Sequence, residues 1–196
     1  MSETGAVSEH YAASGLGARI LAALEAEGVD THALSPEILA PIDQLHTRGW
    51  PATVDLAAWG PFTNETRVLD VGCGIGGPAR YLAKTHGCHV TGIDLMEEFV
   101  DAARLLSERS GLGHLTEFQA GDAADLPFAD DSFDVVWSQN TVMNVPDKQA
   151  FFGGIARVLK PGGVFTGAEM GLGPAGDPIY PVMWARTPEI SYLLTP

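Results

Sequence analysis

Cysteine and metal-binding patterns are scarce in this chain of 196 residues. Cys73 and Cys88 are its only cysteines, which is too few for a disulfide framework. We therefore expect both thiols to be reduced, with Cys73 filling a tight turn rather than acting as a nucleophile. His86 and His89 have no third ligand at a metal-binding spacing, so no metal site is predicted.

Basic residues and long apolar runs are also few. The chain has 11 Lys and Arg residues against 25 Asp and Glu residues, a formal net charge of -14. Because phosphate backbones are held chiefly by Lys and Arg, we expect no nucleic-acid partner. No apolar run approaches the ~20 residues of a membrane helix, and the N-terminus lacks the basic start and apolar core of an export signal. We expect a cytoplasmic protein without a membrane partner.

Helical and strand patterns alternate along most of the chain. Three helices are predicted before residue 62, and the second begins at Ser35-Pro36 and extends its apolar face to Leu45. Strands are then predicted near 67–71, 88–93, 115–119, 133–138 and 163–169, with helices near 77–85, 97–110 and 147–159. This order is typical of an α/β fold in which a mainly parallel, doubly wound sheet has helices on both faces.

The stretch from Arg67 to Ala83, RVLDVGCGIGGPARYLA, predicts a strand, a glycine turn and a helix. Glycines in such a turn allow the backbone to approach a ligand, and the helix start offers free N–H groups to it. The spacing G-x-G-x-x-G also fits a nicotinamide or flavin dinucleotide. Asp70, two residues before the first glycine, instead favours a cationic ligand.

Four segments in a fixed order carry a family resemblance. Asp70 to Gly74, DVGCG, is followed by Gly121 to Phe128, GDAADLPF, then by Asp131 to Val136, DSFDVV, and finally by Arg157 to Gly163, RVLKPGG. Together they closely resemble the motifs of class I S-adenosylmethionine-dependent methyltransferases. A Pro/Asp turn before a strand would explain the local sequence near residue 130, but not the order of all four segments.

The resemblance implies a Rossmann-like fold that binds S-adenosyl-L-methionine and releases S-adenosyl-L-homocysteine. In the family, the position of Asp122 hydrogen-bonds the adenine amino group, and that of Ala123 offers a backbone N–H to the ring. Asp94, 24 positions after Asp70, is placed to accept both ribose hydroxyls, with a solvated helix cap as the alternative. The implied cofactor-binding residues are Asp70, Gly72, Cys73, Gly74, Asp94, Leu95, Asp122, Ala123 and Gln139.

Two further segments resemble small-molecule methyltransferases of type 11 and of the sarcosine/dimethylglycine kind. Asp43 to Gly49, DQLHTRG, is similar to their D-x-x-H-x-x-G segment. Trp137 to Lys148, WSQNTVMNVPDK, is similar to their W-S-Q-x-x-x-M-H-x-x-D-K loop, with Asn144 in place of the histidine. This departure leaves the loop without a candidate base. The implied substrate-binding residues are Asn140, Met143 and Asn144.

The implied reaction is methyl transfer to nitrogen, oxygen or carbon of a small-molecule acceptor. Proximity and orientation supply most of the acceleration, and a base is needed only for an acceptor that arrives protonated. His46 is the candidate base, and the alternative is a structural histidine that holds the N-terminal helices on the sheet. Tyr11 is a second candidate catalytic residue, in the part of the lid expected over the methyl group.

Two other functions stay open. A nicotinamide-dependent oxidoreductase would use the same glycine turn, but it leaves the segment from Gly121 to Phe128 unexplained, and the chain has no Tyr-x-x-x-Lys pair. The second is a non-catalytic module that binds S-adenosylmethionine. Measured turnover of an acceptor would distinguish an enzyme from such a module.

The ends of the chain give two expectations. Residues 1–61 are predicted to form a helical lid, and residues 62–196 the cofactor-binding core. Relatives continue past strand five to an antiparallel pair of strands, whereas only Gly171 to Pro196 remain here. We therefore expect a truncated domain, or a homo-oligomer that covers the edge of strand five at Val164 to Glu169.

Overall fold

A computed structural model describes residues 15–195 of the chain. Three helices come first: Leu16–Ala26 (α1), Pro36–Asp43 (α2) and Trp50–Ala57 (α3). The alternating part follows as Arg67–Val71 (β1), Gly77–His86 (α4), His89–Asp94 (β2), Glu97–Arg109 (α5), Thr116–Ala120 (β3), Phe133–Gln139 (β4), Lys148–Val158 (α6) and Leu159–Ala168 (β5). Two short 3-10 turns lie at Val142–Asn144 and Pro188–Ile190.

The five strands form one sheet in the order β3-β2-β1-β4-β5, and every neighbouring pair is parallel. At the centre, Asp70 of β1 is in register with Gly92 of β2 on one side and with Trp137 of β4 on the other. The chain connections diverge at this point, which leaves a crevice at the carboxyl ends of the strands. The predicted doubly wound α/β fold is confirmed.

The central strand is buried on both faces because its alternate side chains pack against different helices. Val68 belongs to one apolar cluster with Leu82 of α4, whereas Leu69 and Val71 belong to another with Phe151 of α6. Burial of each such side chain contributes about 1.5–3 kcal/mol to folding. The strand end that carries Asp70 is therefore held firmly in the middle of the molecule.

The strand predicted near 163–169 begins earlier than expected. Leu159 already pairs with Phe133, and an irregularity in the ladder precedes the pairing of Val164 with Val135. The lysine, proline and glycines of the RVLKPGG segment therefore lie within the bounds of β5. Among the described residues, β5 pairs only with β4, so the predicted covering of its edge by a second chain stays a prediction.

The second helix is shorter than its apolar pattern predicts. It begins after Ser35, whose Oγ accepts a hydrogen bond from the Ile38 N–H, and it ends at Asp43. The expectation that Leu45 continues its apolar face is wrong, since that side chain is 62% exposed. The chain leaves the helix at Gln44, whose side chain is drawn into a buried hydrogen bond with Thr53.

An ion pair holds α2 against α4. Arg80 Nη2 lies 2.8 Å from Asp43 Oδ2, and both side chains are fully buried. The same guanidinium donates to the carbonyl oxygen of Ile75 in the glycine turn and to Ser107 Oγ of α5. Removal of one partner from a buried pair costs about 3–5 kcal/mol, because the other charge is left uncompensated.

The segment after β5 folds back over the carboxyl ends of the strands. Ala185 and Ile190 are buried, with Leu95 packed against them. The side-chain amide of Asn144 donates to the carbonyl oxygens of Trp184, at 3.0 Å, and Ile190, at 3.3 Å. Within residues 15–195, no helix combines the length and the apolar character needed to cross a bilayer.

Candidate cofactor and acceptor site

A cavity of about 240 Å³ opens at the carboxyl ends of β1, β2 and β4. The sequence-predicted site residues that line it are His46, Asp70, Gly72, Cys73, Gly74, Asp94, Leu95, Asp122, Ala123, Gln139, Asn140 and Asn144. Tyr11 lies outside the described residues. The fold thus brings nearly all predicted positions to one concave surface.

The glycine turn after β1 needs its glycines for three different reasons. Gly72 has φ 75°, and a Cβ on it would lie 2.0 Å from Thr141 Oγ1. Gly74 has φ 52°, and a Cβ on it would meet nothing within 4 Å, so its backbone faces open space. A Cβ on Gly77 would lie 2.2 Å from the carbonyl oxygen of Asp43. The third glycine therefore serves helix packing rather than the ligand.

Asp70 is the most unusual group in the cavity wall. Its side chain is 2% exposed, and its Oδ2 has no hydrogen-bond partner among residues 15–195. Burial, together with the nearby charge of Asp94, raises the pKa of Asp70 to about 8. A carboxylate that is desolvated and unpaired is costly, and a bound cation removes this cost.

Asp94 joins β2 to the glycine turn and to α5. Its Oδ2 accepts a hydrogen bond from the Gly74 N–H at 2.8 Å, and its Oδ1 accepts one from the Met96 N–H at 3.0 Å. Burial raises its pKa. Because a carboxylate has about four lone-pair sites, these two bonds leave capacity for ligand hydroxyls. Neither bond goes to the N–H of Glu97 or Glu98, so the alternative of a solvated helix cap is not supported, and the ribose contact stays a prediction.

The loop after β3 forms the far wall of the cavity. Asp122 Oδ1 accepts a hydrogen bond from the Ala124 N–H at 2.8 Å, which closes a tight turn around Ala123. The Gly121 N–H donates to the carbonyl oxygen of Asp94, so this loop is fixed to the end of β2. One carboxylate oxygen of Asp122 stays outside the turn.

A polar network beneath the cavity joins the N-terminal helices to β4. Thr53 Oγ1 lies 2.6 Å from Gln44 Oε1, 3.0 Å from His46 Nε2 and 3.2 Å from Gln139 Oε1. The indole N–H of Trp137 also donates to Gln139 Oε1, at 3.2 Å. Sequence reasoning gave Gln44 and Thr53 no role. The signal available was the resemblance of the DQLHTRG segment, which contains Gln44 and precedes Thr53, to small-molecule methyltransferases.

His46 belongs both to this network and to the cavity wall. Its Nε2 lies 3.0 Å from Gln44 Oε1, and its Nδ1 lies 3.4 Å from the carbonyl oxygen of Thr47. Burial lowers the pKa of His46, which favours the neutral ring. Neutral imidazole has one nitrogen lone pair, as a base requires. The position is compatible with both predicted roles.

Glu169, at the end of β5, supports the loop after β4 and was not singled out from the sequence. Its carboxylate accepts hydrogen bonds from the N–H groups of Thr141 and Val142, at 2.8 and 2.9 Å, and from Ser138 Oγ at 2.7 Å. Burial raises its pKa. The signal available in the sequence was an acidic residue at a strand end, the same pattern that marked Asp70.

The loop after β4 does not place all its predicted residues at the cavity. Met143 is 4% exposed and lies behind the cavity wall, where its carbonyl oxygen accepts a hydrogen bond from the Tyr192 N–H. The predicted substrate contact of Met143 is corrected to a packing position, because the 3-10 turn directs it inward. Asn144 lines the cavity, but its amide N–H groups hold the C-terminal segment.

Metal and thiol chemistry find little support in the described part of the chain. In residues 15–195, no group of three or more His, Cys, Asp or Glu side chains could hold a metal ion. Cys73 and Cys88 are free and buried, and burial raises the pKa of both thiols. Protonated thiols are poor nucleophiles, in agreement with a packing role.

Comparison with known proteins agrees with this geometry. Residues 69–166, which are 98 of the 196 residues, match the family model described as methyltransferase domain. The glycine/sarcosine/dimethylglycine N-methyltransferase of Actinopolyspora halophila is 48% identical over 99 residues, which cover 50% of this chain and 18% of that enzyme.

Solved structures give the same picture. The cyclase SpnF has a TM-score of 0.64 at 30% identity, over 74% of this chain and 52% of its own. The Haemonchus contortus phosphoethanolamine N-methyltransferase 2, solved with S-adenosyl-L-methionine, has a TM-score of 0.62 at 31% identity, over 67% of this chain and 31% of its own. The chain thus matches 18 to 52% of the length of these three proteins.

Proposed function

Because the chain belongs to the methyltransferase domain family, we propose that it transfers a methyl group from S-adenosyl-L-methionine to nitrogen, oxygen or carbon of a small-molecule acceptor. The activity named for the Actinopolyspora halophila relative is methylation at nitrogen, which supports an enzyme of this class. The matched region covers only part of each relative, so the case for this chain rests on its own cavity.

The observation that carries the proposal is the buried carboxyl group of Asp70 at the glycine turn, whose Oδ2 has no hydrogen-bond partner in the described part of the chain and which a cationic ligand would ionise. S-adenosyl-L-methionine has two cationic groups, a sulfonium and an ammonium, whereas a dinucleotide brings a pyrophosphate to such a turn. A carboxylate attracts the former and repels the latter. The residues present therefore fit S-adenosyl-L-methionine better than a nicotinamide cofactor.

We assign the nucleoside to the wall formed by β2 and the loop after β3. Asp94 has free acceptor capacity for the ribose, and Asp122 has a carboxylate oxygen outside its own turn for the adenine amino group. Gly72, Cys73 and Gly74 supply backbone around the amino-acid end, and Leu95, Ala123 and Gln139 line the remaining wall.

We assign the acceptor to the side of the cavity formed by Leu45, His46 and the loop after β4. Asn140 and Asn144 also line this side, and we propose that the described part of the N-terminal segment, residues 15–61, acts as a lid over it. When bound, S-adenosyl-L-methionine supplies a methyl group already activated by its sulfonium. The protein orients the acceptor and excludes water. Neutral His46 holds a lone pair for the proton of an acceptor that arrives protonated.

Calorimetry and turnover together test this proposal. We expect S-adenosyl-L-homocysteine to bind and NADH not to bind, and we expect Asp70→Asn to weaken binding of S-adenosyl-L-methionine more than that of neutral adenosine. A panel of amines, phenols and other small acceptors is then screened for S-adenosyl-L-homocysteine formation by mass spectrometry. Since one structural neighbour is a cyclase, turnover and not binding is decisive. Tight NADH binding without S-adenosyl-L-homocysteine binding would show that the proposal is wrong.

A further inference from the structure

The ionisable side chains that line the described cavity are mainly carboxyl groups. Asp43, Asp70, Asp94 and Asp122 line it, and no Lys or Arg does so within residues 15–195. The Asp43 carboxylate is paired with Arg80, which lies behind it and is fully buried. Of the lining groups in the described part, only His46 can gain a positive charge, and burial lowers its pKa.

The basic residues of the chain are engaged or directed elsewhere. Six of them form ion pairs with carboxylates: Arg48, Arg80, Lys84, Arg104, Arg157 and Lys160. Lys148 donates to the carbonyl oxygens of Val142 and Val145, and Arg109 donates to that of Thr31. The other three, Arg19, Arg67 and Arg186, are exposed and do not line the cavity. Residues 1–14 contain no Lys or Arg at all.

The rest of the acceptor side is apolar or neutral. Leu45 and Val145 supply apolar surface, and the amides of Asn140 and Asn144 are uncharged. An anionic group placed here would lose water and find no Lys or Arg partner among the described lining residues. The cofactor differs from such an anion, because its two positive groups and single carboxylate give it a net positive charge.

We propose that the acceptor carries no negative charge: it is an amine or a neutral hydroxyl compound with an apolar body, and not a phosphate or carboxylate compound. This inference rests on the proposed function, because it concerns the acceptor side of the same cavity. It separates this chain from two of the similar proteins. The Haemonchus contortus neighbour is named for phosphoethanolamine, which carries a phosphate, and the Actinopolyspora halophila enzyme is named for glycine, sarcosine and dimethylglycine, which carry a carboxylate.

Matched acceptor pairs that differ by one anionic group test the proposal. Suitable pairs are ethanolamine and phosphoethanolamine, dimethylamine and dimethylglycine, and catechol and 3,4-dihydroxybenzoate. Each compound is titrated into the protein loaded with S-adenosyl-L-homocysteine, and its methylation is measured separately. We expect the member without the anionic group to bind about tenfold tighter or more, from one uncompensated charge in a partly desolvated site.

A charge introduced at the cavity mouth provides the matched variant. Leu45 is 62% exposed, so both Leu45→Lys and Leu45→Met should fold. Leu45→Lys should reduce or invert the preference for the acceptor without the anionic group. Leu45→Met should leave that preference unchanged. Equal or tighter binding of the anionic members by the unmodified protein overturns the proposal. So does a protein that binds S-adenosyl-L-homocysteine but neither member of any pair. Failure of the proposed methyltransferase function would give a different result: acceptors would bind, but none would be methylated.

Discussion

Thr141 and Gly72 are packed so closely that a Cβ on the glycine would lie 2.0 Å from the Thr141 hydroxyl oxygen. The same hydroxyl donates to the carbonyl oxygen of Val71 at 3.2 Å, and the backbone N–H of Thr141 is held by Glu169. The loops after β1 and β4 are therefore locked together beneath the cavity. Glu169, directly after β5, is therefore part of the support for the glycine turn that follows β1.

This packing predicts a stability difference between two glycine variants. Gly72→Ala and Gly74→Ala both place Ala at positive φ, which costs on the order of 1–2 kcal/mol. Only Gly72→Ala adds a clash with Thr141, so we expect it to lower the free energy of unfolding by at least about 1 kcal/mol more. Urea unfolding without ligand measures both. Equal losses would contradict the close packing.

Glu169 offers a second stability prediction. Glu169→Gln can keep a carbonyl oxygen on the two backbone donors, but it removes the negative charge that both donors meet and places its N–H₂ group opposite the Ser138 hydroxyl. Loss of a charged hydrogen-bond partner costs about 1.5–3 kcal/mol, and cofactor affinity should fall with it as the loop loosens. Glu117→Gln, at an exposed position on β3, is the control. An unchanged free energy of unfolding in Glu169→Gln would show that the loop needs no such support.

Local and non-local features differ in how well the sequence predicts them. The strand, turn and helix around Gly72 are encoded within 17 consecutive residues, Arg67 to Ala83, and all were predicted correctly. The network of Thr53 with Gln139 joins residues 86 positions apart, and no local pattern reports such a contact. Asp70 has one feature of each kind, local and non-local. Its position followed from the motif, but its unpaired oxygen depends on neighbours that only the fold brings together.

The errors have a physical origin as well. Helical spacing places Leu45 on the apolar face of α2, but the helix ends at Asp43 because buried polar partners capture Asp43 and Gln44. Spacing along a helix cannot reveal that competition. In the same way, the motif groups Met143 with Asn144, although the 3-10 turn sends one side chain into the core and the other to the cavity.

The raised pKa of Asp70 predicts pH-dependent cofactor binding. In the ligand-free protein this pKa is about 8, so the carboxyl group is mostly protonated at pH 7. A cationic ligand binds the ionised form, so affinity for S-adenosyl-L-methionine should rise by up to about tenfold per pH unit below 8 and then level off. Calorimetry from pH 6 to 9 measures this, and Asp70→Asn should remove the dependence. If the affinity of Asp70→Asn still rises with pH, the pH dependence belongs to another titratable group.

The same group affects stability with the opposite sign. The folded pKa of Asp70 is above its unfolded value, so between about pH 4 and 8 the folded state binds the extra proton. Its contribution to stability is fully present below pH 4 and is lost as the pH rises through 8. Without ligand, Asp70→Asn should therefore become more stabilising, relative to the unmodified protein, as the pH rises across this window.

Asp94 variants distinguish its structural bonds from the proposed ribose contact. Asp94→Ala removes the acceptor for Gly74 and the proposed acceptor for the ribose, so affinity for S-adenosyl-L-homocysteine should fall about ten- to a hundredfold. The ribose part is isolated with 2′,3′-dideoxyadenosine, whose affinity should change less than that of adenosine. Equal losses for both nucleosides would leave Asp94 with only its structural bonds to the N–H groups of Gly74 and Met96.

His46 can be separated from the network in which it lies. If it faces the acceptor as a base, His46→Ala should lower kcat much more than it lowers affinity for S-adenosyl-L-homocysteine. Thr53→Val removes the hydroxyl that lies 3.0 Å from Nε2 and 2.6 Å from Gln44, yet it leaves the imidazole in place. We expect Thr53→Val to lower the melting temperature but to retain most of kcat. If both variants lose activity in proportion to stability, His46 holds the N-terminal helices on the sheet, and the acceptor proton leaves to water.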